Sequence, residues 1–165
     1  MRMFSFAVRL GVVLIPLAMG CAQSPAGPIA ITIKPSADGI LGGTGTVKAG
    51  AHVRVVLTLT NLSGRDITLH FTSAMCDYAL EVRDSSGALA PDTEEKRGAN
   101  CANPVTGRNI YRALKPSEST RDALDVGQMS DMSQPGQYSV QVMRASPELG
   151  GTAAISNAIT ITVAQ

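Results

Sequence analysis

The chain contains no tryptophan, and aromatic residues make up only 4% of its 165 positions. Beyond the first twenty residues they are Phe71, Tyr78, Tyr111 and Tyr138. That is too few for a platform on which bases or sugars stack. Charge of one sign is also missing. Lys and Arg total 14 against 13 Asp and Glu, a formal net charge of +1. Without Arg2 and Arg9 the balance tips to −1. A near-neutral chain has no electrostatic footprint for nucleic acid or for an anionic surface.

Catalytic and metal signatures are equally sparse. There are two histidines, His52 and His70. If their strands paired as a hairpin they would approach each other, but no third ligand sits at metal-site spacing. No Gly-x-Ser-x-Gly elbow is present. The glycine-rich stretch Gly39–Gly45 is not followed by the Gly-Lys-Ser/Thr of a phosphate loop. Two acidic sets, Asp92/Glu94/Glu95 and Asp122/Asp125/Asp131, lack the spacing and central glycine of a calcium loop. Met129 and Met132 read as core plugs rather than ligands. The sequon Asn61-Leu62-Ser63 is a nominal glycosylation site. No cofactor is expected, and an enzyme, for instance a hydrolase, is the remote alternative.

What is present begins with an address. Arg2 and Arg9 precede the longest apolar run, Leu10 to Met19, which Gly11 and Pro16 interrupt. As a helix that run reaches only ~15 Å, about half a hydrocarbon core. Charge first, apolar residues second and small residues third is the order of a cleaved signal peptide, here 1–20.

The segment ends Leu17-Ala18-Met19-Gly20-Cys21. This resembles the lipobox of bacterial lipoproteins, where a small residue precedes a cysteine that takes a diacylglyceryl group. The resemblance implies lipid attachment at Cys21, a membrane partner through that lipid, and a home in the bacterial cell envelope. The anchor would sit in the outer membrane or on the periplasmic face of the inner membrane. Several acyl chains hold a protein stably where one does not. Residues 21–28 then read as a flexible tether.

Cysteine arithmetic follows. Of Cys21, Cys76 and Cys101, lipidation removes the first and leaves a pair. An exported pair meets an oxidising compartment where a disulfide persists. A Cys76–Cys101 bridge is expected; a metal site and two free thiols are the alternatives.

The mature chain, 29–165, alternates with period two. Ile29, Ile31 and Ile33 share one face, as do Val53, Val55, Leu57 and Leu59. Ile67, Leu69 and Phe71 follow across the polar Leu62–Asp66 turn, which predicts a hairpin. Tyr78–Arg83, Ile110–Leu114, Thr120–Val126, Tyr138–Val142 and Ala158–Val163 complete about eight strands. Between them, 91–109 is polar and long for a loop in a compact domain. The expected fold is all-β: a single antiparallel immunoglobulin-like sandwich of about 7–9 strands, with a closed barrel as the other option.

Gln134-Pro135-Gly136-Gln137-Tyr138 resembles the tyrosine corner of immunoglobulin-like sandwiches, whose hydroxyl bonds back to nearby backbone. A wider resemblance covers about ninety residues. A strand ending in Asn61, Phe71-Thr72-Ser73, Asp77-Tyr78, Asp84–Gly87, Leu114-Lys115-Pro116 and Pro135–Tyr138 are similar to the intracellular proteinase inhibitor family of bacilli. These residues mark turns and strand ends, so the resemblance implies the fold. The expected function is a non-catalytic protein-binding or structural module in the envelope, contacting its partner by a sheet edge or by 91–109. The alternative is a protease inhibitor presenting that loop.

Overall fold

The structure, a computed structural model, describes residues 27–36, 45–102 and 109–165. The signal peptide read over 1–20, Cys21 and most of the tether lie outside them, as do 37–44 and 103–108.

Among the described residues the strands are β1 (Ile29–Pro35), β2 (Thr46–Lys48), β3 (Arg54–Asn61), β4 (Ile67–Phe71) and β5 (Ala79–Arg83). They continue with β6 (Ile110–Leu114), β7 (Ser119–Asp125), β8 (Gly136–Ala145), β9 (Ala153–Ile155) and β10 (Ile159–Ala164). Three short helices, α1 (Ala74–Asp77), α2 (Glu94–Gly98) and α3 (Val126–Met129), punctuate them. One sheet runs β1-β3-β7, and a second runs β2-β10-β8-β5 with β9 alongside β8. A two-stranded piece, β4-β6, stands apart. Pairing is antiparallel except between β2 and β10, which run parallel.

Alternation puts the apolar residues of both sheets into one core. Ile29, Ile31, Ile33, Val55, Leu57, Leu59 and Leu124 are buried on the first sheet; Val82, Tyr138, Val140, Val142, Ile161 and Val163 are buried on the second. Each such side chain contributes ~1.5–3 kcal/mol on burial. The result is the all-β sandwich, with two sheets around one core, rather than the closed barrel that alternation also allows. Met129 and Met132 are buried in that core. The Tyr138 hydroxyl donates to Gln134 O at 2.9 Å, closing the tyrosine corner.

The predicted β3–β4 hairpin does not form. Both edges of β3 are already occupied, by β1 and β7, so β4 pairs with β6 instead. Residues 62–66 make a corner rather than a reversal. Asn61 holds it. Its Nδ2 donates to Arg65 O (2.8 Å) and Leu114 O (2.9 Å), and its Oδ1 accepts from Ser63 N and Ser63 Oγ. The same side chain is fully buried, so the sequon nitrogen is committed to the fold. On the other arm, Arg112 of β6 reaches Thr120 Oγ1 and Arg121 O of β7. An arginine spans that gap only if the two arms bend sharply toward each other.

Candidate functional site

The disulfide joins Cys76, in α1, to Cys101, with their Cα atoms 5.2 Å apart. It ties down the polar segment that the sequence marks as too long to stand alone. More of that segment is ordered than its composition implies. Thr93 caps α2, accepting from Lys96 N. Its hydroxyl also donates to Gln128 O, and Asp92 forms a bridge with Ser130. The Lys96 ammonium donates to Met75 O, linking α2 to α1.

The far end of the segment returns to the same place. Asn109 Oδ1 lies 2.9 Å from His70 Nε2 on β4. Cys76 follows β4 by a few residues. Both feet of the span between Cys101 and Asn109 are therefore fixed at one end of β4. A cavity of about 380 Å³ opens beside the first foot, lined by Met75, Leu80, Asp92, Lys96, Cys101 and Met129. That size admits a side chain or a small ligand.

Next to the second foot the surface is apolar. Tyr111 is 68% exposed and Ile110 39%. The His70 ring stacks on Tyr111 with centroids 4.6 Å apart and planes 12° from parallel. The two residues are opposite in the β4–β6 ladder. Isolated exposed apolar groups are ordinary; here the exposed Tyr111 ring is backed by its stack on His70.

Under this surface lies Arg144, only 2% exposed. It sits on the inward face of β8, two residues beyond Val142. Its guanidinium carbon is 4.6 Å from the Phe71 ring centre and 5.2 Å from that of Tyr78. Nη2 donates to His70 O, and Nη1 is 4.0 Å from Asp77 Oδ2. Asp77 in turn accepts from Thr72 N and Thr72 Oγ1. Arg144 thereby fastens β4 and α1 to the second sheet. Desolvated cation–π contacts of this kind reach about 2 kcal/mol. Nearby, burial pushes the Glu148 carboxyl up, while the Ser146 hydroxyl, its own backbone N–H, Arg144 and His70 outweigh this and hold it below its ordinary range. Burial, then the charge of Asp122, drives the Tyr78 phenol far upward, and its hydroxyl donates to Asp122 Oδ2 at 3.0 Å.

The other candidate residues are dispersed. His52 precedes β3 and pairs with Asp125 at 2.7 Å, whereas His70 lies on β4 opposite Tyr111, and β3 and β4 make no hairpin. Asp125 also caps α3, and Asp122 accepts from Tyr78 and from Ala123 N. Asp131 accepts from Ser133 N. Each carboxylate of that set answers a local donor. Glu94 and Glu95 open α2. Among the described residues, no group of three or more His, Cys, Asp or Glu converges as a metal site, and no helix is long and apolar enough to cross a membrane. Arg144 is the residue the sequence reading passed over. The alternation Tyr138, Val140, Val142, carried one step further, would have turned it inward.

No protein-family model and no curated protein matches the chain. Among solved structures, it is similar to the CARDB domain of a Pyrococcus furiosus protein, solved in complex with di-metal ions. The identity is 12%, the TM-score 0.42, and the match covers 84% of this chain and 89% of that one.

Proposed function

We propose that this protein is a lipid-anchored component of the bacterial cell envelope whose sandwich is a non-catalytic module for binding another protein. Acyl chains on Cys21 would hold it to the membrane, and the tether would leave the domain free to reach a partner. The observation that carries the binding role is the double pinning of the span between Cys101 and Asn109. The Cys76–Cys101 bridge fixes one foot and the His70–Asn109 contact fixes the other, beside the exposed Tyr111. A loop restrained before it binds loses less entropy on binding.

The test is affinity capture from detergent-solubilised envelopes with the full-length processed protein. A reproducible partner is expected, with its yield falling about tenfold in a Cys76→Ser/Cys101→Ser variant. Recovery of no specific partner, or equal capture by the reduced-loop variant, counts against the reading.

The same double pinning favours a second reading, a protease inhibitor that presents 91–109 to an enzyme. Stoichiometric inhibition of at least one member of a broad protease panel supports it. Cleavage between residues 101 and 109 without inhibition dismisses it.

A further inference from the structure

The direction of the backbone groups on β4 decides which groups β6 leaves open. His70 O accepts from Arg144, and Thr72 N donates to Asp77. Both partners lie on the side of β4 away from β6. In an antiparallel ladder, bonded and non-bonded pairs alternate. Ile67, Leu69 and Phe71 are therefore the residues that exchange bonds with Leu114, Arg112 and Ile110. Tyr111 and Ala113 direct their N–H and C=O groups to the outer edge. The close His70–Tyr111 stack agrees, because side chains approach most nearly in non-bonded pairs.

Three other edges of the sandwich, those of β1, β5 and β7, are blunted. On β1, the Asn157 side chain takes both Ile33 N and Ile33 O. On β5, the returning chain bonds through Asp84 N to Ala88 O and Ala90 N to Val82 O. On β7, Arg112 Nη1 approaches Arg121 O, and Asp122 Oδ1 accepts from Ala123 N. These are the devices by which proteins keep sheet edges from pairing with other chains. Among the described residues, nothing caps Tyr111 or Ala113 on the outer side of β6, and both residues are exposed.

We propose that the outer edge of β6 accepts an extended segment of another protein as an added strand, with an acidic residue of that segment facing Arg112. This rests on the binding-module reading and names the partner's chemistry. Strand addition draws affinity from main-chain bonds and specificity from alternate side chains. Here Tyr111 and Ala113 supply the bonds, and the partner residues beside them meet the Tyr111–His70 stack. The intervening residue lies opposite Arg112. The Arg112 guanidinium donates to two neutral acceptors, Thr120 Oγ1 and Arg121 O, and lies 5.6 Å from the Phe71 ring centre; among the described residues it makes no ion pair. A second copy of this chain is the wrong occupant. Symmetric pairing in the register centred on Arg112 would set Arg112 against Arg112, and like charges directly opposite are destabilising. The fitting segment reads apolar–acidic–apolar.

The probe is a displayed library of random ten-residue peptides, panned on the full-length processed protein in detergent. Enrichment of apolar–acidic–apolar peptides is expected. Ala113→Pro removes an outward N–H without touching a β4–β6 bond, and should weaken those peptides at least tenfold at unchanged melting temperature. Should that variant melt early, Arg112→Glu gives the independent reading: acidic peptides lost, basic ones gained. No enrichment, equal binding to both variants, or dimerisation through β6 in sedimentation overturns the proposal. Envelope capture that survives Ala113→Pro but not loss of the disulfide would refute this edge while leaving the binding module standing.

Discussion

Asn61 does the work of four turn residues. Its amide feeds two carbonyls, and its carbonyl oxygen takes two donors from Ser63, all without exposure to solvent. Asn61→Ala strands those groups at a corner where water enters only in part. A loss of about 2–4 kcal/mol is expected, read from urea unfolding, because an unsatisfied buried group costs about 1–3 kcal/mol. Asp84 shows a different residue-scale effect. The Ser86 hydroxyl foremost, against an opposing desolvation and with the Ala88, Ser86 and Gly87 N–H groups adding to it, holds its carboxyl below its ordinary range. Asp131 is lowered likewise, first by the Ser133 hydroxyl and then by its N–H. A depressed folded pKa contributes stability that is complete above the unfolded value, about 4, and is lost as pH falls through the folded value. Urea midpoints of wild type and Asp84→Asn should therefore differ at pH 7 and converge as the pH falls well below the unfolded value of about 4. A gap that stays constant over that fall would refute the assignment.

At the scale of elements, the paired arms β3–β4 and β6–β7 matter most. Each breaks at a short corner, and the two corners are joined by Asn61 N to Glu118 O and Ser117 N to Asn61 O. The bend hands β4 from the first sheet towards the second, where Arg144 and α1 receive it. The disulfide then closes a separation of 25 residues across the segment that follows. In the chain-entropy account, a cross-link of that span stabilises by about 3 kcal/mol. Cys76→Ser/Cys101→Ser should lower the unfolding free energy by about that amount. It should also speed proteolysis within 91–109 more than elsewhere. Unfolding that is unchanged by reductant would show that the bridge contributes nothing. The element boundaries themselves were only partly readable. The strong alternation of β3, β4, β8 and β10 placed their inward residues correctly. The three-residue strands β2 and β9 carry too little period to see, and the hairpin failed because pattern reports which face is apolar, not which neighbour a strand pairs with.

At the scale of the whole molecule, the two sheets share one buried core, and the disulfide, Arg144 and the His70–Tyr111 stack gather around one end of β4. The proposed anchor adds a prediction that belongs to the intact protein. Cys21→Ser should move the protein from the membrane fraction to the soluble envelope fraction, and the wild type should carry an acyl mass absent from the variant. Identical fractionation of the two, with an unmodified mass, would remove the anchor from the account. Period-two hydrophobicity and turn residues by themselves determined an all-β fold and its inward faces, and the pairing of Cys76 with Cys101 was legible only once Cys21 was read as a lipid site. Those signals are local, or are exhausted by counting. Only the tertiary structure decided that β4 leaves β3 for β6, that Arg144 sits inside, that both feet of the loop are tied to β4 and α1, and that, among the described residues, the outer edge of β6 has no partner. Each of these depends on which strands become neighbours, and backbone groups carry no sequence signature of the partner they will find.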